Sequence, residues 1–452
     1  MANDRNTILN ETIKRLLRRD ATTHLKKIVN KAHAADLSVV FRSLPLEHQK
    51  KLFDLINDIE QKAFLISELE EYTFLDLIDH LSIDESVEIF NHMPADDVAD
   101  LISKLPQEKA DLILKKMNTE DSEEVEELLR YDKDTAGGIM VPDFIALREI
   151  STAREAIESI QKDYHDVEMP FYLYVVDESD RLLGVVSLRQ LVVVKPNTPL
   201  KDFMARDIFS VRTDTDQEEV AKLVARYDIL AVPVVDDQNR LVGIVTVDDV
   251  IDIFRREATE DILKMAGVGE DFLETQSILK STRVRLPWLF ASCLGGVLAS
   301  MVISHFEGGL SHFIFLAPFI PVITGMGGNV GAQSSTIVVR GLATGRLDVR
   351  DIWSVVSKQL TVGVILGLIY GGFLGVVARF RFHQDVSAGL LALVVGISVI
   401  CSMSLAALMG SLVPMIFRRI NIDPAVASGP FISTSIDVVG IFIYLSIATI
   451  LL

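Results

Sequence analysis

The chain has 452 residues, 49% of them hydrophobic and 24% charged, with a formal net charge of −19 and a mean hydropathy of +0.32, a combination that excludes one uniform globular domain. From Arg283 onward there are 10 Lys+Arg and 6 Asp+Glu, a net of +4, which leaves 34 against 57, a net of −23, before it. So acidic a half argues against a nucleic-acid binder, which needs basic surface to neutralise phosphates, and favours cations as partners.

The segment 68–117 repeats with a period of twelve, as in HLSIDESVEIFN, HMPADDVADLIS and KLPQEKADLILK. Each unit reads as a short helix begun by Pro or Ser, with acidic residues in its first turn where they complement the helix dipole. Short helices cannot bury a core singly, so an all-α superhelical stack over about 20–130 is expected.

A second repeat follows. YLYVVDESDRLLGVVSLRQLV (172–192) matches AVPVVDDQNRLVGIVTVDDVI (231–251) without a gap, so Gly184 corresponds to Gly243 and Ser187 to Thr246. Each copy reads as helix, strand, turn, strand and helix, an α/β module of tandem copies. From Val250 to about Lys280, charged and apolar residues alternate as in a helix, a connector to the apolar half.

In that half, five segments reach the roughly 20 apolar residues that a bilayer demands: 286–304, 313–339, 360–378, 389–417 and 425–452. Arg283 and Arg285, then Arg340, Arg346, Arg350 and Lys358, then Arg418 and Arg419 fall on one side. By the positive-inside rule the acidic half is cytoplasmic and the C-terminus outside, with Arg379 and Arg381 against the rule. Cys293 and Cys401 both lie in the apolar half, so no disulfide framework is expected, and Met1–Asn10 carries no apolar signal stretch.

Two spans carry polar motifs. Gly325–Gln333 (GMGGNVGAQ) is poor in helix formers; it reads as irregular backbone lining a cavity, with Asn329 and Gln333 on one face, or as glycines that let helices pack closely. In the fifth span Asp437 has no basic residue beside it, and Pro430, Ser433, Asp437, Gly440 and Tyr444 share a helical face. A mid-membrane Asp costs about 2.5 to 3.5 kcal/mol and ordinarily marks an ion path, the alternatives being a partner on another span or a protonated structural role. Asp423-Pro424 reads first as an N-cap followed by Pro.

The 172–251 pair resembles tandem CBS domains, a Bateman module, and Gly243–Asp249 (GIVTVDD) resembles their nucleotide segment, which implies ATP or another adenine nucleotide near Thr246 and Asp249. The first copy has Arg189-Gln190 where the second has Asp248-Asp249. With the acidic repeats, YDKDTAGGIM (131–140), GGNVGAQ (327–333) and SGP (428–430) followed by Asp437, the whole chain resembles the MgtE family of magnesium channels. The resemblance implies a homodimer in the plasma membrane, divided into an N domain (1–133), CBS pair (134–252), connecting plug helix (253–282) and five-helix transmembrane domain (283–452). It implies Asp437 as the ion-selecting carboxylate, with Asn329, Ser433 and Gly440 lining the path, and Gln359 standing where the family pattern has an acidic residue. Regulatory Mg²⁺ would then be held by Asp96, Asp100, Asp214, Asp216, Glu218, Asp228, Asp249, Asp252, Glu257, Glu260 and Asp261, and at the membrane boundary by Asp423. No nucleophile and base pair, Walker motif or His/Cys cluster suggests an enzyme. A carrier of Co²⁺ or other divalents, or a non-conducting nucleotide or cation sensor, are the other readings.

Overall fold

The computed structural model describes residues 2–163, 171–268, 278–306, 314–381, 388–427 and 429–452. They fall into two compact units, Met1–Arg255 and Arg256–Leu452.

In the first unit, α1 (Ala2–Arg18) precedes helices that begin at Thr22, Ala34, Leu46, Ile59, Glu71, Ile83, Ala95, Gln107 and Thr119. The twelve-residue step seen from residue 68 thus extends back to Thr22, with a single step of thirteen. Local chemistry marks several of the starts. Ser82 and Glu85 form a reciprocal capping box, Asp58 accepts from the Glu60 N–H at 3.2 Å, and Pro45, Pro94 and Pro106 occupy N-cap positions. Each helix of eight to ten residues turns two to four apolar side chains inward, such as Val87, Ile89 and Phe90. These join one core that also takes in Val220, Val232 and Val245 of the second α/β copy.

The α/β part holds two three-stranded sheets of like topology. In one, β1 (Ala146–Arg148) runs parallel to β2 (Tyr172–Val176), which pairs antiparallel with β3 (Leu182–Ser187); in the other, β4 (Val211–Arg212), β5 (Ala231–Val235) and β6 (Leu241–Thr246) repeat the pattern. Both copies slip register at the same place, between Val175 and Val176 and between Val234 and Val235. The edges are exchanged: Val141 exchanges backbone hydrogen bonds with Ile244 of β6, at 2.8 and 3.0 Å, while Ala205 does so with Val185 of β3, at 3.0 and 2.9 Å. The stretch before the first copy therefore completes the second, and the stretch between the copies completes the first.

A helix runs on from β6, Val247–Met265, and ends short of the Lys280 expected from periodicity. Gly267 takes a left-handed φ of +72°, Gly267 N–H donates to Lys264 O and Val268 N–H to Leu263 O, both at 2.9 Å. That is a Schellman stop, which the apolar and charged alternation does not register. Residues 269–277 of the expected connector lie outside the described residues.

Among the described residues of the second unit, five helices are long and apolar enough to cross a membrane: Ser281–His305, Phe315–Ala343, Val349–Arg381, Ala388–Arg419 and Gly429–Leu451. The first, third and fourth outrun the expected segments at both ends and the second runs on past residue 339, because hydropathy finds only a span's apolar middle. Arg283 and Arg285 lie inside the first helix, Arg340 inside the second and Lys358 inside the third, where connecting loops were expected. The fifth span starts at Gly429, since Pro424–Ala427 forms a separate 3-10 turn. Gly363, Gly367, Gly371 and Gly375 of the third span, four apart, face the fourth; a Cβ on them would come within 2.6 to 2.9 Å of Ala407, Ile400, Gly396 or Ala392. Small residues at this spacing let two helix backbones approach. Around the fourth span, Val394, Val395, Val399, Met403, Ala406 and Ala407 form the centre of the apolar core.

Candidate functional site: a carboxylate on the fifth span

The second span is an unbroken helix, Ile320–Ala343, so the irregular backbone expected at GMGGNVGAQ is not formed. Close packing explains two of the four glycines of that motif. Gly331 abuts Ile436 and, through its carbonyl, Gly410, and a Cβ on Gly327 would lie 2.7 Å from Ser402 Oγ. With neighbours so near, helical hydrogen bonding satisfies the backbone and the low propensity of glycine is overridden. Gly328 differs: a Cβ there would meet a single side chain, Asp437, at 4.0 Å from Oδ1. Bare backbone therefore stands beside the carboxylate.

Asp437 lies eight residues beyond Gly429, about 12 Å along the helix axis and within one turn of the helix's middle. Asp437 is half-buried, and no described basic side chain pairs with it. Below it, Pro430 O accepts from Ser433 Oγ at 3.2 Å and Thr434 Oγ1 at 2.6 Å. Above it, Gly440 is buried beside Ser402, and Tyr444, fully buried, donates to Leu316 O at 2.9 Å. The face shared by Pro430, Ser433, Asp437, Gly440 and Tyr444 is thus open only in its first half. Asn329 and Gln333 are exposed on the second span. Gln359 sits 3.4 Å from the Ser334 hydroxyl, a neutral contact within the helix packing. Ser402, whose buried hydroxyl has no hydrogen-bond partner among the described residues, was not foreseen; only the approach of the second and fifth spans to the fourth brings it near Gly327 and Gly440. Ser428 of the quoted SGP motif lies outside the described residues.

At the foot of the fifth span, Asp423 does cap the 3-10 turn, accepting from Ala425 N–H at 2.8 Å, and its other oxygen accepts from Lys264 Nζ at 2.7 Å. Lys264 also pairs with Glu260 one turn back. Burial works to lower the Lys264 pKa, but the Asp423 and Glu260 carboxylates outweigh it and hold the ammonium above the usual lysine value. Met265 O abuts Gly429, and a Cβ on Gly267 would lie 2.9 Å from Pro430.

The other acids have local partners or local roles. Asp100 pairs with Lys104 at 2.8 Å, Glu218 with Lys222 at 2.8 Å, Asp252 with Arg255 at 3.1 Å and Asp214 with Arg212 at 3.3 Å. Asp216 is an N-cap, accepting from Glu218 N–H at 2.8 Å, and Asp228 is the left-handed C-cap of Gln217–Tyr227. Asp96 begins the Ala95–Ser103 helix; Glu257, Glu260 and Asp261 ride on Val247–Met265. Among the described residues of one chain, no three acidic, His or Cys side chains converge to hold a metal. Thr246, 1% exposed, donates its hydroxyl to Asp249, as the Ser187 and Gln190 capping box does at the matching place in the first copy. Burial, offset in part by that hydrogen bond, pushes the Asp249 carboxyl up to about 6.

Three family profiles match the chain in order: an MgtE intracellular N domain over residues 32–134, CBS domains over 136–197 and 200–256, and an MgtE divalent cation transporter domain over 320–447. The magnesium transporter MgtE of Thermus thermophilus is 40% identical over 460 residues, 98% of either chain, and that of Bacillus subtilis is 32% identical over 96% of this chain and 95% of its own. A crystal structure of the cytosolic domain of the Mg²⁺ channel MgtE in complex with ATP superposes with a TM-score of 0.51 at 36% identity, over 54% of this chain and 99% of that one. With near-complete coverage at that identity, the chain belongs to the MgtE family of divalent cation transporters.

Proposed function

We propose that this chain is a Mg²⁺ channel for uptake across the plasma membrane, working as a homodimer in which the Asp437 carboxylates of two copies select the ion. The observation that carries the reading is Asp437 itself: a half-buried carboxylate within a span, beside the bare backbone of Gly328, with no basic partner among the described residues. A lone carboxylate in such a place costs free energy unless a cation relieves it. Mg²⁺ dehydrates reluctantly and keeps several waters. A path with one carboxylate per copy, flanked by Ser433 and the exposed Asn329, suits an ion held through its waters and weakly enough to leave.

On the acidic side, the domains divide near residues 133, 252 and 282. Asp96, Asp100, Asp214, Asp216, Glu218, Asp228, Asp249, Asp252, Glu257, Glu260 and Asp261, with Asp423, form the supply of regulatory ligands. Apart from the contacts that Glu260 and Asp423 make with Lys264, their ion pairs are wholly or partly exposed and hence worth little, about 0–1 kcal/mol each, so a divalent ion can take those carboxylates over. Ions that favour the closed arrangement shift the population towards it. The likeness to an ATP-bound relative supports an adenine nucleotide at the CBS pair, with Thr246 and Asp249 beside it.

The decisive experiment is flux into proteoliposomes containing a Mg²⁺ indicator. Mg²⁺ entry that disappears in Asp437→Ala and falls at least tenfold in Asp437→Asn supports the pore; equal leakage from all three proteins, or none from any, refutes it. Co²⁺ and Ca²⁺ in parallel define the selectivity.

A further inference from the structure

We infer that Lys264 is a positioning residue of the gate, its ammonium acting as a built-in cation that ties the end of the connecting helix to the foot of the fifth span. The inference rests on the Mg²⁺-channel reading. Lys264 lies in the last turn of Val247–Met265, and its Nζ meets Asp423 Oδ2 at 2.7 Å across 159 residues of sequence while also pairing with Glu260 on its own helix. Asp423 is fixed from the other side by Ala425 N–H at 2.8 Å, so the carboxylate cannot follow the lysine if the helix withdraws.

The surrounding backbone is shaped to the same junction. The Schellman stop at Gly267 turns the chain where Pro430 stands, 2.9 Å from the Cβ position, and the absence of a side chain at Gly429 admits Met265 O. Pro430 is seven residues before Asp437, about 10 Å along the axis. While the Lys264 and Asp423 pair is made, the connector's blunt end occupies the foot of the helix that carries the selecting carboxylate. The pair therefore stabilises the shut arrangement without any metal, and regulatory Mg²⁺ works on a gate already biased to close. Both groups are partly buried, with side chains 28% and 34% exposed, and share a well-formed contact, so the pair is coupled more strongly than a fully exposed one such as Asp252 with Arg255.

The test uses the full-length chain in liposomes, with Mg²⁺ varied on the face that carries the acidic half and flux normalised to each variant's own maximum. Lys264→Met should raise the Mg²⁺ needed for half-closure about fivefold, Lys264→Arg should restore most of the sensitivity, and Asp423→Asn combined with Lys264→Met should add little beyond the larger single shift. A second readout does not depend on transport: with Cys293 and Cys401 replaced by Ser and Met265 by Cys, maleimide should react several-fold faster when Lys264 is Met. Unchanged half-closure in Lys264→Met, or unchanged labelling, overturns the latch. If no protein conducts Mg²⁺, the channel reading fails and the labelling rates alone decide whether Lys264 holds the junction.

Discussion

Asp437 and Asp249 are both carboxylates in partly or largely apolar surroundings, but their neighbours give them different consequences. Asp249 is in the acidic unit, its carboxyl pushed up to about 6 chiefly by burial. An acid whose folded pKa lies above its unfolded value binds its proton more tightly when folded. Its stabilising effect is therefore full at low pH and is lost as pH rises from about 4 through about 6, beyond which it stays constant. Asp249→Asn keeps an oxygen for the Thr246 hydroxyl and removes the titration. The variant should gain on the parent over that window, by roughly 2 kcal/mol at pH 7, as read by denaturant unfolding of the cytosolic unit at pH 4, 5, 6 and 7. A gap that is the same at all four values contradicts the assignment.

Among the elements, the junction of the second, fourth and fifth spans is the least forgiving. Gly410 sits on the Gly331 backbone carbonyl, whereas Gly325 has nothing within 4 Å of its Cβ position. Gly410→Ala must push two helices apart and should destabilise by roughly 1–3 kcal/mol; Gly325→Ala should be neutral or slightly stabilising, as expected when alanine replaces glycine in a helix. Thermal unfolding in detergent compares the two. In the acidic unit, Ser82→Ala removes the side-chain half of a capping box, the bond that Glu85 N–H donates to the Ser82 hydroxyl, and should cost about 1 kcal/mol, visible as a lower melting temperature. These elements also mark what was readable in sequence. The twelve-residue period was legible from residue 68 on because Leu or Met closes each unit and apolar residues recur at the same places within it; before that the N-caps Ala21, His33 and Asp58 vary too much to mark the step. The α/β duplication was legible because its strands alternate around matching turns. The continuity of the second span was not, because glycine-rich sequence reports propensity while the packing of Ile436, Ser402 and Gly410 decides the outcome. Asp437 stood out as an isolated charge in an apolar run; its neighbour Gly328 and the Lys264 and Asp423 pair needed three-dimensional proximity that spacing does not encode.

For the molecule as a whole, the five spans set the two ends on opposite faces of the bilayer if all five cross. Arg283, Arg285, Arg346, Arg350, Arg418 and Arg419 favour the acidic half on the cytoplasmic face. In a background lacking Cys293 and Cys401, a cysteine replacing Leu452 should react with an impermeant maleimide added outside intact cells, while one replacing Ser103 should not; the opposite pattern would invert the topology. The edge exchange in the α/β part has a different bearing, on the order of events during synthesis. Ala205 finds Val185 only 20 residues back, whereas Val141 waits for Ile244, 103 residues further on. As the chain emerges, the first sheet can close early, but the stretch around Val141 stays unpaired until the second sheet exists, by which time the acidic helices before it are already made. Those helices share their core with the second copy, so the last-formed sheet is also the one that seats the earliest-formed part of the protein. A ribosome pausing between residues 205 and 244 would expose an open edge at both ends of the nascent unit, and that interval is where a chaperone has most to protect.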